Sequence, residues 1–321
     1  MHSVGDHFLK GLLVVIVFFF TSSRSICEDW PMWRYDAGRT AVTPQVLSDD
    51  LKPIWIRELR KPVPAWPANQ LKLRFDESYE PIVLGGTLFV PSMTSDCLIA
   101  FDTDSGQENW RFYTEGPIRF APVGHLDSVI FASDDGFLYA VHSQTGQLQW
   151  KFRGGPAERR ILGNNRLVST WPVRGAPVLY DGIVYFGAGI WSSMGIFIHA
   201  VDAGTGTVIW SNTGAGSTYT EQPHNSSAFA GISPQGYLTA TEEVLLVSGG
   251  RSVPAGFDRL TGEMKYFHFS DKAYGKKAGG YGVSASGVHF FNGNSVYGLN
   301  NGRGILNTDP GVYTEDIIYS I

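Results

Sequence analysis

Four stretches of this chain spell nearly the same phrase: IAFDTDSGQENW (99–110), YAVHSQTGQLQW (139–150), HAVDAGTGTVIW (199–210) and, more loosely, AGFDRLTGEMKY (255–266). Each sets alternating apolar residues before a turn built on Thr or Ser and Gly, with an aromatic residue four places after the Gly. The glycines Gly106, Gly146, Gly206 and Gly262 stand 40, 60 and 56 residues apart. Thr/Ser-Gly makes a tight strand-to-strand turn because Gly takes the positive φ such turns require. Strands alternate side chains between two faces, so a unit of this size cannot bury both of its faces alone. A repeat of this period specifies a radial array, a β-propeller of four-stranded antiparallel blades.

In that array Trp110, Trp150 and Trp210 fill the wedge between neighbouring blades, a large apolar surface for one blade to hide against the next. Units are expected over about 81–113, 119–152, 176–212 and 236–269, with Gly85-Gly86 and Asp181-Gly182 as first hairpin turns. A fifth, 282–300, shows three strands and lacks the Gly-to-aromatic phrase. Segment 51–59, LKPIWIREL, reads as a strand that could close a ring, yet no partner blade for it is legible, so the propeller is expected to be incomplete or C-terminally shortened. The 38 glycines and 13% aromatic residues suit many short strands and argue against a helical protein.

Residues 11–20, GLLVVIVFFF, lie between Lys10 and the small residues TSSRS. A charged start, a short apolar core and a small-residue site describe a signal peptide over 1–25, cleaved near Ser23 or Ser25. The expected plan is then a leader over 26–50, the repeat domain over 51–300 and an irregular tail over 301–321. The protein is expected to be exported, periplasmic or extracellular, with no integral membrane segment after cleavage. Ile26 before Cys27 does not suit a lipid-anchoring signal. Cys27, in the leader, and Cys97, opening a strand, could bridge in an oxidising compartment, and they read as unpaired. A net charge of −5 gives no electrostatic footprint for nucleic acid.

The phrase A-x-D-x-x-T-G-x-x-x-W resembles the repeat of the pyrroloquinoline quinone (PQQ)-like propellers. These include quinoprotein alcohol dehydrogenases and the periplasmic propeller of the outer-membrane protein assembly machinery. The leader WPMWRYDAGRT, the connector KFRGGPAERRILGNNRLVSTWPVRGAPV and the stretch GGRSVPAGFDR look like exported proteins of planctomycete-type bacteria that carry this propeller. The resemblance spans about 30–300 and implies the fold more strongly than an activity. It would also imply PQQ held with Ca²⁺, an adjacent Cys pair over the quinone, and in some members a Cys-x-x-Cys-His haem site. This chain has neither motif, and no catalytic residue carries over.

DTDSG at 102–106 lacks the spacing and the closing Glu of a Ca²⁺ loop, and its Asp is a turn residue repeated by the architecture. His199 reads as a hydrogen-bonded packing residue. The longest connections, 151–176, 211–231 and 268–282, all run from the last strand of one unit to the first strand of the next. Equivalent connections share one face of a propeller, the usual place for a binding surface. Arg153, Arg160, Trp171, Arg174 and His224 lie in these connections, and Arg251 lies in GGRSVPA (249–255), a turn between second and third strands that opens on the same face; these six are the candidate ligand-binding residues, with no catalytic and no metal-ligating residue expected. Guanidinium groups there would favour a carboxylate or sulfate. The expected function is non-catalytic binding of a partner protein or small anionic ligand. The alternatives are a PQQ-dependent oxidoreductase of the quinoprotein alcohol dehydrogenase type and a shortened inactive member.

Overall fold

A computed structural model describes residues 28–163, 165–216, 218–221, 226–250, 252–268, 279–307, 311–313 and 318–320. The expected signal peptide, Cys27, His224 and Arg251 lie outside the described residues. Five blade sheets follow one another along the chain, each with four antiparallel strands; the third gains a fifth, Gly236–Tyr237, which pairs in parallel with Val173–Tyr180. Blade one comprises Ile82–Leu84, Thr87–Ser92, Cys97–Asp102 and Glu108–Tyr113. Blade two comprises Val123–His125, Ser128–Ala132, Phe137–His142 and Leu148–Arg153. Blade three comprises Val173–Tyr180, Ile183–Ala188, Phe197–Asp202 and Val208–Asn212. Blade four comprises Thr239–Ala240, Val244–Val247, Ala255–Asp258 and Met264–Tyr266. Blade five comprises Val283–Ser286, His289–Asn292, Ser295–Gly298 and Gly304–Asn307. The first strands of successive blades touch one another, which makes them the inner ring of a propeller. Among the described residues the only helical elements are the 3₁₀ turns Leu71–Leu73 and Ser192–Met194.

One contact repeats between blades. The indole N–H of Trp110 donates to Ser143 O (2.9 Å), that of Trp150 to Ala203 O (3.2 Å) and that of Trp210 to Arg259 O (3.0 Å). Each accepting carbonyl lies three residues before the Gly of the next blade's turn. That Gly has φ between +69° and +75°, and its missing side chain is where the ring lies. A methyl group built at Gly146 or Gly206 would stand 2.7 or 2.8 Å from the ring. The three tryptophans are half-buried against the core, because the outer strand lies at the rim of each blade. The rule extends past the legible phrases. Tyr266 replaces Trp and donates its hydroxyl to Leu299 O (2.7 Å) over Gly302. Trp55, ahead of blade one, donates to Thr103 O (2.7 Å) over Gly106.

The fifth unit corrects the sequence reading in one respect. It has a fourth strand, Gly304–Asn307, after the tight turn at Gly302, whose φ is +64°. That strand, GILN, carries no Trp. Strand pairing also continues past 300, where an irregular tail was expected, with Gly311–Tyr313 against Ile318–Ser320. Segment 51–59 takes the outer-strand position beside blade one but joins no ladder among the described residues. Trp55 points inward while Ile54 and Ile56 are 75% and 84% exposed.

The leader occupies the hub. Trp30 pairs with Val83 of blade one, and Pro31 O accepts from Gly124 N of blade two (2.7 Å). Ala37 O accepts from Ala240 N of blade four and Gly38 O from Ala285 N of blade five. Arg39, fully buried, donates to Pro177 O of blade three (2.8 Å), Leu238 O (3.0 Å) and Trp33 O (2.9 Å). Twelve residues, 30–41, thus tie all five inner strands together.

Candidate functional site

The chain runs outward through each blade, so each connection returns from rim to hub on one face. The described parts of connectors 154–172 and 213–235 lie there with the loops between second and third strands and with segment 60–76. At the hub beneath that face, Trp33 stacks on Tyr237 (3.7 Å between centroids, 12°). Tyr237 meets Phe120 edge-on (5.3 Å), and Phe120 stacks on Phe75 (4.7 Å). Tyr237, Phe120 and Phe75 are each at most 2% exposed, so this column fills the axis. A buried charge chain lies beside it. Asp76 bonds Arg119 (2.5 Å), Arg119 bonds Asp134 (2.7 Å), and Asp134 takes both Nε and Nη2 of Arg174 (2.9 and 2.8 Å). The two arginines hold Asp134 down at about 2 despite its burial. Asp76 is raised, burial outweighing the pull of Arg119.

Burial pushes the neighbouring Asp135 up to about 6. Its oxygens accept from Phe137 N (3.0 Å), Tyr139 Oη (2.7 Å) and Glu115 N (3.1 Å), so it fastens the turn rather than standing as a free general base. His199, lowered by burial, bonds Ser211 Oγ (2.8 Å) and Gly154 O (2.9 Å), the packing role read from the sequence. Asp102, Asp202 and Asp258 each accept the N–H and hydroxyl of the Ser or Thr three places on. They are turn residues, and among the described residues no cluster of His, Cys, Asp or Glu has the makings of a metal site. Cys97 is buried and free, its thiol pushed up by burial.

The four predicted ligand-binding residues that are described, Arg153, Arg160, Trp171 and Arg174, do not gather at one point. Arg174 is buried at the hub in its bidentate pair with Asp134. Arg160, on the hairpin Arg160–Gly163 with Arg166–Ser169, pairs with Glu115. Arg153 ends the outer strand of blade two, exposed and without an ion pair to any described residue. Trp171 donates its indole N–H to Met194 O (2.7 Å) and meets Phe197 edge-on. It anchors the long loop 189–196 instead of facing solvent as a platform.

That loop carries a residue the sequence reading passed over. Trp191, 55% exposed, meets Trp66 of segment 60–76 edge to face (5.9 Å, 87°) over a cleft of about 410 Å³. Trp66 donates to Gln235 Oε1 (2.7 Å), and Gln235 Nε2 donates to Ser233 Oγ (3.0 Å). The available signal was GAGIWSSMG (187–195), which lengthens a hairpin and places Trp in it, outside the repeat position.

The family model described as outer membrane protein assembly factor BamB, a PQQ-like repeat family, matches residues 45–226. The dehydrogenase subunit of a quinone-type alcohol dehydrogenase from Komagataeibacter europaeus is 31% identical over 160 residues, which is 46% of this chain and 21% of that protein. The corresponding subunit from Gluconacetobacter polyoxogenes is 32% identical over 143 residues, 40% of this chain and 19% of that protein. The chain thus matches about a fifth of the length of these curated relatives. Among solved structures, the quinohemoprotein alcohol dehydrogenase from Comamonas testosteroni superposes with a TM-score of 0.57 at 16% identity, covering 88% of this chain and 49% of that one. That likeness speaks to the fold.

Proposed function

The chain belongs to the PQQ-like repeat family, and from that premise we propose a non-catalytic propeller that binds a partner through its connector face. The observation that carries this reading is the hub. Its axis is filled by Trp33, Tyr237, Phe120 and Phe75 in contact with one another, leaving no slot for a planar quinone among the described residues. The chain's two cysteines, Cys27 and Cys97, are not adjacent, so it has no Cys pair to cover one. The buried Arg119 and Arg174 are neutralised by Asp76 and Asp134, not held ready for a cofactor's carboxylates. The connector face, by contrast, presents open polar and aromatic surface, with Arg153 on its rim. Export to the periplasm, where BamB-type and quinoprotein propellers work, belongs to the same proposal and is supported by the N-terminal apolar segment.

The second reading, a PQQ-dependent oxidoreductase, is favoured by the names of the relatives. The two separate in one experiment: purified protein is incubated with PQQ and Ca²⁺, and dye reduction is followed with primary alcohols. The binding reading expects no quinone retained after gel filtration and no dye reduction above the protein-free rate. Stoichiometric quinone with turnover would replace it with the oxidoreductase. Titration of a carboxylate and sulfate panel against wild type and Arg153→Ala tests whether the ligand is anionic. Loss of binding in the variant, fading with salt, is the expected sign of an exposed arginine contact.

A further inference from the structure

Three neighbouring excursions of the connector face carry bare apolar side chains. On the ribbon Arg160–Gly163 with Arg166–Ser169, Leu162 and Leu167 stand directly opposite each other and are 76% and 60% exposed. On the ribbon Thr218–Glu221 with Ser227–Ala230, Tyr219 and Phe229 stand opposite in the same way, 63% and 75% exposed, with their rings edge-on (5.1 Å). Loop 189–196, which carries Trp191, adjoins both. Trp171, just past the first ribbon, bonds Met194 O of that loop, and Gly216, at the foot of the second, packs on its Ser192 and Ile196. In the turns of the opposite face, exposed Leu126, Leu260 and Val288 stand one to a blade, as scattered surface residues do.

Unpaired positive charge lies beside the first ribbon. Of the charged side chains described between 151 and 170, Arg160 and Arg166 are taken by Glu115 and Asp96. Lys151, Arg153 and Arg159 make no ion pair with a described residue, and the one acid of that stretch is Glu158. Resting on the binding reading above, we propose that this sector docks on an anionic lipid bilayer, with the two ribbons and loop 189–196 entering the headgroup layer. Leu162, Leu167 and Phe229 supply groups for the acyl boundary, Trp191 and Tyr219 supply amphipathic rings for headgroup level, and the unpaired cations meet lipid phosphates. A folded protein partner needs one continuous complementary face. Separate excursions, each bare on its own, suit a fluid surface that closes around every one of them.

The test uses the chain as matured by an exporting host, without the apolar stretch 11–20, in flotation with lipid vesicles. These are made of phosphatidylcholine alone, of phosphatidylcholine with phosphatidylglycerol, and of that mixture with brominated acyl chains. Binding is expected to be about tenfold stronger with phosphatidylglycerol and to weaken with salt. Brominated chains are expected to quench tryptophan fluorescence, and Trp191→Phe to remove most of that quenching. Leu162→Ser with Leu167→Ser leaves every charge in place, as does Tyr219→Ser with Phe229→Ser. Each pair is expected to weaken binding about tenfold with an unchanged melting temperature. Absence of vesicle binding would overturn the proposal, as would binding that neither apolar pair affects, which is adsorption of charge alone. So would a protein whose capture needs Leu162 and Leu167 while vesicles are ignored; that result gives the face to a protein and leaves the binding propeller standing. Quinone turnover, read in the separate PQQ experiment, would instead remove the reading beneath it.

Discussion

Asp134 and Asp135 are adjacent, and their surroundings drive them in opposite directions. Asp134 lies between two guanidinium groups and is held at about 2, while Asp135 is partly buried, makes no ion pair with a described residue, and is pushed up to about 6 by desolvation. An unfolded Asp titrates near about 3.9. A depressed folded value means that Asp134 contributes stability above that pH and loses it as pH falls through 2. A raised folded value has the reverse sign, so Asp135 favours the folded state most below pH 4, and that advantage is lost as pH rises through 6. Asp135→Asn fixes this site in its neutral form. The variant's stability relative to wild type should therefore improve between pH 4 and pH 7, whatever its constant offset, and urea midpoints at the two pH values measure this. Replacing Asp134 with Ala strands the buried Arg174, leaves Arg119 with Asp76 alone and should cost about 3–5 kcal/mol, the usual penalty for breaking a buried pair from one side. Equal stability of that variant and wild type at pH 7 would mean that the charge chain is dispensable.

Each blade leans on the next through one aromatic ring and one glycine. Gly206 and Gly182 have nearly equal positive φ, +71° and +72°, but only Gly206 lies under a Trp; nothing stands within 4 Å of a methyl group at Gly182. Ala at either position bears the left-handed backbone cost of about 1–2 kcal/mol. Gly206→Ala must also displace Trp150, so it should lower the melting temperature clearly more than Gly182→Ala. Trp150→Ala should cost about 3 kcal/mol, the low end for an aromatic truncation because the ring is only half-buried. Equal effects of the two Ala variants would deny the inter-blade contact its role. This element was legible because the phrase keeps the turn Gly and the ring at a fixed spacing. The last strand of blade five escaped notice because GILN has no ring to mark it, and Tyr266 and Trp55 obey the same rule outside the phrase. The site was less legible. Arg160 and Arg174 looked available in the connector, but their acids are Glu115 and Asp134, 45 and 40 residues upstream in other blades. Trp66 and Trp191 lie 125 residues apart in segments outside the repeat, so no spacing announces that their rings meet.

At the scale of the whole molecule, segment 51–59 stands where an outer strand would stand, yet its backbone joins no ladder among the described residues. Ile54 and Ile56 point outward from it. Unpaired strand backbone beside exposed β-branched residues is a template for pairing with another chain. The 321-residue chain should therefore self-associate with rising concentration in sedimentation velocity runs. Ile54→Lys with Ile56→Lys should suppress this while leaving Trp55 over Gly106. Association unchanged in that double variant would locate the sticky surface elsewhere.

The leader's grip on all five inner strands has a consequence for the order of assembly. Its residues are among the first made, but the carbonyls that Arg39 binds lie 138 and 199 residues later, and Gly38 must wait for Ala285. Contacts so distant in sequence close late, since loop entropy opposes them until the intervening blades exist. Blades one to four can each form locally as they emerge, whereas the hub locks last. Refolding should accordingly show a fast phase in which strand signal returns and a slow one in which Trp33 comes onto Tyr237. Arg39→Met should slow or abolish the second phase and spare the first. The opening residues of the chain thus act as a clock for its completion.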